Sequence, residues 1–321
     1  MALTQTAAFM NLRSKFLGGM VGSALGDAIG EMAFRAHKEA DLRTKIAQRD
    51  TLVYTDDTAM AIGLAESIVQ AGGLDPQHVG DTFRANFKRE PWRGYAAGPP
   101  TVFSRVEREE ASYEEAARSL FGGEGSFGNG AAMRIAPVGL FFHNSPDLYK
   151  EARRSASVTH AHPIGVDGAA VQAWAVAQAV TLDPQEPFPF EEFTQGITSF
   201  ARTPEMRDKM ALVRRLIATR CAPPDAARRL GRNVAVHESL PFALYAFLRH
   251  PQSFEACLLC ATLNGGDRDT LGAMACAVSG AYLGAEAIPR AWWKKLEHRR
   301  QIEDLALKLV DASDEETSRT R

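Results

Sequence analysis

The sequence predicts an all-α protein that folds as one compact helical bundle. Apolar residues recur at spacings of three and four along most of the chain, and alternating, strand-like runs are scarce. Glycine- and proline-rich turns separate the periodic segments, but no repeat and no clear linker divides them. We therefore expect a single domain over residues 1–321.

Four helices can be placed from their end signals and apolar faces. The first covers 11–30 and ends in a glycine-rich stretch. The second covers 58–71, where apolar side chains share one face. A third begins at Ser145, with this serine as N-cap and a proline at the first position. The fourth, at 271–283, has an apolar stripe and small residues on its other faces, so we expect it to be surrounded.

Three segments rich in glycine or proline are predicted to be loops, because such residues do not suit helix interiors: 94–101, 122–130 and 183–190. The polar tail at 311–321 is expected to fray at its end.

Composition excludes several protein classes. There are 37 Lys and Arg residues against 39 Asp and Glu, and the resulting net charge of −2 argues against nucleic-acid binding by bulk charge. The start of the chain lacks a secretory apolar region, and no apolar run reaches membrane-spanning length. Cys257 and Cys260 form half a zinc site at most and fit buried helix positions better. We expect a cytoplasmic monomer that binds neither nucleic acid nor membrane.

Two short acidic segments stand where helices should begin, and their oxygen-bearing side chains are Thr55, Asp56, Asp57, Asp267, Asp269 and Thr270. Either segment alone can be a helix cap, because Thr and Asp side chains accept bonds from free N–H groups. Together they favour metal. Hard oxygen ligands suit Mg²⁺ or Mn²⁺ rather than Zn²⁺, and four carboxylates without cations would repel one another. If the segments meet in space, they could hold two ions about 3.5–4 Å apart.

The glycine-rich segment 123–134 precedes another predicted helix. Glycine lets backbone N–H groups approach a phosphate closely, although such a segment is more often only a turn. Phe121 and Phe127 flank it and could stack on a base, although an aromatic residue is by default part of the core. His160, further along the chain, could donate to a phosphate or simply lie at a helix end.

Several motifs in this order resemble the ADP-ribosylglycohydrolase family: YTDDTAMA, RGYAAG with TVF, GSFGNGAAMR, THAH, ESLPFALYAFL and GGDRDT ahead of a small-residue helix. The resemblance runs from about Phe16 to Trp293 and places the core of the domain at about 16–293. It implies an orthogonal helical bundle with a cleft for two Mg²⁺ ions, or Mn²⁺. TVF and the aromatic pair around GSFGNG favour the branch that cleaves O-linked ADP-ribose, whereas the arginine-linked branch shares GNGAAMR.

The resemblance also implies roles for individual residues. Thr55, Asp56 and Asp57 would bind one ion, and Asp267, Asp269 and Thr270 the other, with Asp269 bridging. Phe121 and Phe127 match the positions that sandwich adenine. The remaining predicted substrate-binding positions are Gly94, Gly98, Gly125, Ser126, Gly128, Asn129, Gly130, Met133 and His160.

The sequence departs from the family pattern at four positions. A glutamate usually stands eight residues past the first glycine of GDxxG, but Phe34 occupies that position here and the nearby acid is Glu31. Arg268 stands between two predicted ligands, so we expect its side chain to point away from the metals. Phe127 replaces a tyrosine, and Ala96 replaces a glycine.

The resemblance implies hydrolysis at C1″ of the distal ribose in ADP-ribosyl-serine, poly(ADP-ribose) or O-acetyl-ADP-ribose, with release of ADP-ribose. Asp57, Glu31 or metal coordination would deprotonate the attacking water, and Asp269 is the third predicted catalytic residue. The expected partners are ADP-ribose and ADP-ribosylated proteins or poly(ADP-ribose). Two alternatives remain, an ADP-ribosyl-arginine hydrolase and a catalytically silent ADP-ribose-binding protein.

Overall fold

The computed structural model describes residues 2–36, 38–109 and 111–319, and these residues form helices without any β-strand. The helices are α1 (Ala2–Ala33), α2 (Glu39–Gln48), α3 (Asp56–Ala71), α4 (Pro76–Arg89), α5 (Gly98–Glu109), α6 (Tyr113–Arg118), α7 (Ala136–Phe141), α8 (Leu148–Ser157), α9 (Pro163–Thr181), α10 (Phe190–Phe200), α11 (Pro204–Ala218), α12 (Pro223–Leu230), α13 (Val236–Arg249), α14 (Phe254–Leu263), α15 (Arg268–Leu283), α16 (Arg290–Lys295) and α17 (Arg299–Arg319). The predicted all-α class is confirmed. None of the described helices has the length and apolarity needed to cross a membrane.

Asp56, Asp57 and Asp269 lie in the first turns of helices rather than ahead of them, whereas Thr55 and Asp267 directly precede those helices. α3 begins at Asp56, directly after the extended Thr55, and α15 begins at Arg268. Both helices therefore start two or three residues earlier than predicted. The positive end of each helix dipole lies beside its carboxylates, which stabilises their charged form.

Other predicted boundaries were wrong. α5 begins at Gly98, inside the predicted loop 94–101, since the two prolines that follow lose no hydrogen bond in a first turn. α8 begins at Leu148, and the Ser145 Oγ atom instead accepts the Asp147 N–H at 3.2 Å in a preceding turn. α17 continues through most of the polar tail, to Arg319, and the last residues, where fraying is expected, are 320 and 321, outside the described residues.

α1 and α15 touch along their backbones at the centre of the molecule. A Cβ atom added at Gly26 would lie 2.1 Å from the Gly272 carbonyl oxygen, and one at Gly18 would lie 2.2 Å from that of Gly280. α15 is buried from Thr270 to Tyr282, so the surrounded helix predicted at 271–283 is confirmed. This packing brings the end of α1 against the start of α15.

Cys257 and Cys260 are buried on α14 and form no disulfide, as predicted for core positions. The buried apolar side chains of the described residues form one continuous cluster that extends from Phe16 to Val310.

Candidate functional site

Asp27 of α1 holds the first turn of α3 in place. Its carboxylate is fully buried and accepts hydrogen bonds from Thr55 Oγ1 at 2.8 Å and Thr58 Oγ1 at 2.6 Å. The backbone N–H groups of both threonines donate to it at 3.0 Å. Burial raises the pKa of Asp27 to about 6, although these bonds oppose the rise. Sequence reasoning missed this role, whose signal was one acid among the small and apolar residues of the first helix.

The carboxylates of α3 lie in a strongly acidic environment. Burial, followed by the charges of Asp27 and Asp269, raises the pKa of Asp57 well above its ordinary value. Asp57 Oδ2 accepts a 3.3 Å bond from Thr55, but its buried Oδ1 has no hydrogen-bond partner among the described residues. Burial and Asp27 raise the pKa of Asp56 to about 7. The charge of Arg134 opposes the rise for Asp56 only in part.

The second acidic segment faces the first. Burial and the charge of Asp267 raise the pKa of Asp269 to about 8. Asp267 Oδ2 accepts a 2.7 Å bond from Asn129 Nδ2, and Asp269 Oδ1 accepts the Thr270 N–H at 2.9 Å. Arg268 Nη1 donates to the Thr262 carbonyl at 2.9 Å, so the arginine has a backbone partner outside the cavity.

One cavity of about 530 Å³ joins both acidic segments to the predicted ligand-binding loops. The predicted residues that line it are Asp56, Asp57, Gly94, Gly98, Phe121, Ser126, Phe127, Gly128, Asn129, Gly130, Met133, His160, Asp267, Asp269 and Thr270. Residues that the prediction did not place there are Ala97, Pro99, Thr159, Val234 and Ala235, together with Ala96. The motifs separated along the sequence thus meet in space.

Phe121 and Phe127 expose their rings in this cavity instead of joining the core. Phe121 is 70% exposed and Phe127 is 43% exposed. His162 and His237 lie beside the ring of Phe127, with ring centroids 5.2 and 5.9 Å away. Two exposed aromatic rings provide a surface on which a flat ring can stack.

The glycine-rich loop comes close to neighbouring backbone and side chains. Gly125 has φ +76°, and a Cβ atom there would lie 2.7 Å from the His162 nitrogen. A Cβ atom at Gly130 would lie 2.8 Å from His160 Cε1. Gly125 itself lies beneath the cavity lining, where it shapes the turn.

A buried arginine lies under the same loop. Arg134 is fully buried and donates to the carbonyl oxygens of Gly130 at 3.0 Å and Ser155 at 3.3 Å. Burial lowers the pKa of Arg134 to about 9, and the charge of Asp56 opposes this shift. Burial and Arg134 together lower the pKa of His160 to about 3, so this histidine is neutral. His160 Nδ1 lies 2.8 Å from Thr159 Oγ1.

Glu31 does not line this cavity. It lies near the end of α1 in a separate groove together with Arg35 and Lys45. Phe34, at the position of the family glutamate, is 43% exposed. Thr55 also stays outside the lining and contacts the site through Asp27 and Asp57.

The donor chemistry fits a hard divalent cation, although no three His, Cys, Asp or Glu side chains in the described ranges form a ready metal site. The unpaired Asp57 Oδ1 is a free oxygen ligand, and the mutual repulsion of the carboxylates favours a cation between them. Asp267 is partly engaged by Asn129.

The ADP-ribosylglycohydrolase family model matches residues 9–319. The chain belongs to the ADP-ribosylglycohydrolase family. "ADP-ribosylhydrolase ARH3" from Mus musculus is 33% identical over 92% of this chain and 91% of its own length. The Homo sapiens protein of the same name is 31% identical over 92% and 93%. A solved structure titled "ADP-ribosylglycohydrolase-related protein complex" matches with a TM-score of 0.73 and 27% identity, over 95% of this chain and 99% of that one.

Membership of the ADP-ribosylglycohydrolase family confirms the resemblance found in the sequence. The family and the ADP-ribosylhydrolase relatives identify the chain as an enzyme, a hydrolase acting on glycosyl bonds. The enzyme interpretation is therefore preferred to the alternative of a catalytically silent ADP-ribose-binding protein.

Proposed function

We propose that this protein hydrolyses the O-glycosidic bond at C1″ of the distal ribose in ADP-ribosylated serine, poly(ADP-ribose) or O-acetyl-ADP-ribose, and releases ADP-ribose. The observation that carries the proposal is the composition of one cavity, which combines exposed aromatic rings, a glycine-rich loop and facing carboxylates. The aromatic rings suit a base, the glycine-rich loop suits a diphosphate, and the carboxylates suit a ribose. The relatives named ADP-ribosylhydrolase support the same chemistry.

The adenine would stack on Phe121 and Phe127, whose rings are exposed before any ligand binds. The diphosphate would lie against the loop at 125–130, where the backbone can approach it closely. His160 contributes a neutral imidazole there. When the Thr159 hydroxyl donates to its Nδ1 atom, the ring proton is on Nε2 and can be donated to a phosphate oxygen.

We further propose that the site holds two Mg²⁺ ions, or Mn²⁺. Thr55, Asp56 and Asp57 would bind one, and Asp267, Asp269 and Thr270 the other. When bound, such ions supply positive charge that fixes the ribose hydroxyls and polarises the sugar. Support comes from the free Asp57 Oδ1 atom and from the carboxylate pKa values raised by burial and neighbouring charge.

Asp57 is the proposed general base. A water molecule attacks C1″ and transfers a proton to the Asp57 carboxylate, while the bond from C1″ to the leaving oxygen breaks and that oxygen takes a proton from solvent. A carboxylate whose pKa is raised above its ordinary value accepts a proton more readily. The carboxylates also stabilise positive charge that develops on the sugar. Glu31 ranks second for this role because it lies in the neighbouring groove.

The test is an ADP-ribose release assay on matched serine-linked and arginine-linked peptides, with Mg²⁺ and with a chelator. We expect release from the serine-linked peptide in Mg²⁺ alone. Faster release from the arginine-linked peptide would instead establish the N-glycosidic activity. Comparing Asp57→Asn with Glu31→Gln identifies the base, and we expect the larger loss of kcat in Asp57→Asn.

A further inference from the structure

A second groove, of about 280 Å³, lies next to the acidic end of the cavity. Glu31 lines it and directly follows Gly30, at which an added Cβ atom would lie 2.5 Å from Asp269 Cα. Glu31 also stands one helical turn beyond Asp27, on the same face of α1. Val53, two residues before Thr55, also lines the groove. Both sides of the groove are therefore continuous with the segments that carry the carboxylates.

The groove is positively charged. Arg35, Lys45 and Arg49 line it against the single acid Glu31. None of the three cations forms an ion pair or a side-chain hydrogen bond within residues 2–36, 38–109 and 111–319. Lys45 and Arg49 stand four residues apart, at the end of α2. An anionic partner could therefore form ion pairs with Arg35, Lys45 and Arg49.

The groove also contains an unpaired backbone edge. Leu52 N donates to the Lys295 carbonyl at 2.8 Å, and the Leu52 carbonyl accepts the Glu297 N–H at 3.0 Å, in an isolated parallel bridge. In an extended segment the neighbouring residues direct their N–H and C=O groups to the opposite side. Those groups of Thr51 and Val53 make no hydrogen bond within the described residues, and Val53 is 52% exposed.

We propose that this groove binds the carrier protein itself: an extended, acidic segment of chain next to the modified residue. The proposal rests on the proposed function, since the modified residue must enter the cavity while its flanking chain lies outside. The main chain of the segment would pair with Thr51 and Val53, as peptides do when they add to an exposed strand edge. Its Asp or Glu side chains would meet Arg35, Lys45 and Arg49.

A peptide fits the groove better than a second nucleotide unit does. Free N–H and C=O groups in an extended segment recognise another main chain, which a nucleotide does not have. The three cations come from the turn after α1, from α2 and from the residue after α2, so they suit carboxylates spaced along a chain. A single diphosphate would need cations gathered at one point.

The experiment compares two peptides that carry the same ADP-ribosylated residue, one with glutamates on both flanks and one with glutamines. For the wild-type protein we expect kcat/KM to be about tenfold higher on the acidic peptide, through KM, as three partly exposed charge pairs would give. The triple variant Arg35→Gln/Lys45→Gln/Arg49→Gln should lose this preference and keep its rate on the neutral peptide. Val53→Pro, which removes one N–H group, should raise KM on both peptides.

The control is Arg153→Gln/Arg228→Gln/Arg229→Gln, which removes three exposed cations that line neither the groove nor the cavity. It should retain the preference. Equal rates of the wild type on the two peptides, or an equal loss on both in the groove variant, would overturn the proposal. So would a loss confined to poly(ADP-ribose), which would place a nucleotide in the groove. If the wild type cleaves neither peptide, the proposed hydrolysis of ADP-ribosyl-serine fails, and weaker binding of the unmodified acidic peptide to the groove variant still tests the groove separately.

Discussion

Thr58 Oγ1 donates to Asp27 Oδ2 at 2.6 Å. The two residues are 31 positions apart in the sequence, and their bond joins α3 to α1. Asp27 belongs to α1, which also packs its glycines on α15. α1 thus fixes the first turn of α3 on one side and the first turn of α15 on the other. The two acidic segments face each other because each is held by the same central helix.

Asp27→Asn tests this positioning role. The amide NH₂ group cannot accept, so the carboxylate oxygen that it replaces loses its bond from a threonine N–H group. We expect the free energy of unfolding to fall by about 2–3 kcal/mol and activity to fall with it, because hydrogen bonds to a buried charge are strong. Urea unfolding measures the change. The exposed Asp50→Asn is the control, and equal stability of both variants would contradict the role.

Gly272→Leu tests the backbone contact between α1 and α15. A Cβ atom at Gly272 would lie 2.2 Å from the Gly26 carbonyl oxygen, so the helices must separate. We expect a loss of about 3 kcal/mol or failure to fold, since overpacking of a core is costly. Gly73→Ala is the matched control, because an added Cβ atom there meets nothing within 4 Å. A Gly272→Leu protein with wild-type melting temperature would refute the contact.

The metal-free protein should become less stable as pH rises. The folded-state pKa values are about 7 for Asp56 and about 8 for Asp269, above the ordinary value of 3.8. Between pH 3.8 and about 8 the folded state binds more protons than the unfolded state. The free energy of unfolding therefore falls as pH rises through this range. Asp56→Asn should flatten the decline in Tm.

Millimolar Mg²⁺ or Mn²⁺ should reverse that decline, because an ion that binds only the folded state raises Tm by mass action. The largest Tm shift is expected near pH 8, where the carboxylates of the metal-free site are ionised and repel. Asp57→Asn should reduce the shift. A Tm that neither cation changes at any pH would argue against a metal site.

Phe121→Ala and Phe127→Ala test the proposed adenine site. Each change removes a stacking surface, and we expect ADP-ribose binding to weaken by about 10- to 100-fold per variant. Stability should be nearly unchanged because both rings are exposed. Isothermal calorimetry measures the affinity, with the 71% exposed Trp92 replaced by alanine as a control outside the cavity. Unchanged affinity in both phenylalanine variants would exclude stacking at this place.

Local patterns sufficed to predict the helical class and most cavity-lining residues. Spacing of apolar residues indicated the helices, and short runs such as Thr55 to Asp57 carried their own chemistry. Long-range contacts were not predictable in the same way. The only sequence signal of Asp27 is an acidic residue among small and apolar ones, and its partners Thr55 and Thr58 lie 28 and 31 residues away. Nothing in the sequence distinguishes Arg134 from an exposed arginine, whereas the structure buries it against the loop at 125–130.

The predicted starts of α3 and α15 were wrong for a local reason. Sequence reasoning placed Asp56 ahead of its helix, whereas α3 already begins there. Asp267 does precede α15, which begins at Arg268, but its side chain makes no cap hydrogen bond. Acidic side chains suit the first turn as well as the cap, so composition alone does not fix the boundary.

The central claim is that the facing carboxylates of α3 and α15 perform the hydrolysis, and Asp269→Asn tests it most directly. The measurement is the rate of ADP-ribose release from a serine-linked peptide in Mg²⁺, beside the circular dichroism and Tm of the same variant. We expect release to fall by at least about a hundredfold while the fold is retained, as removal of one preorganised charge usually gives. Release at the wild-type rate from a folded Asp269→Asn protein would contradict the account.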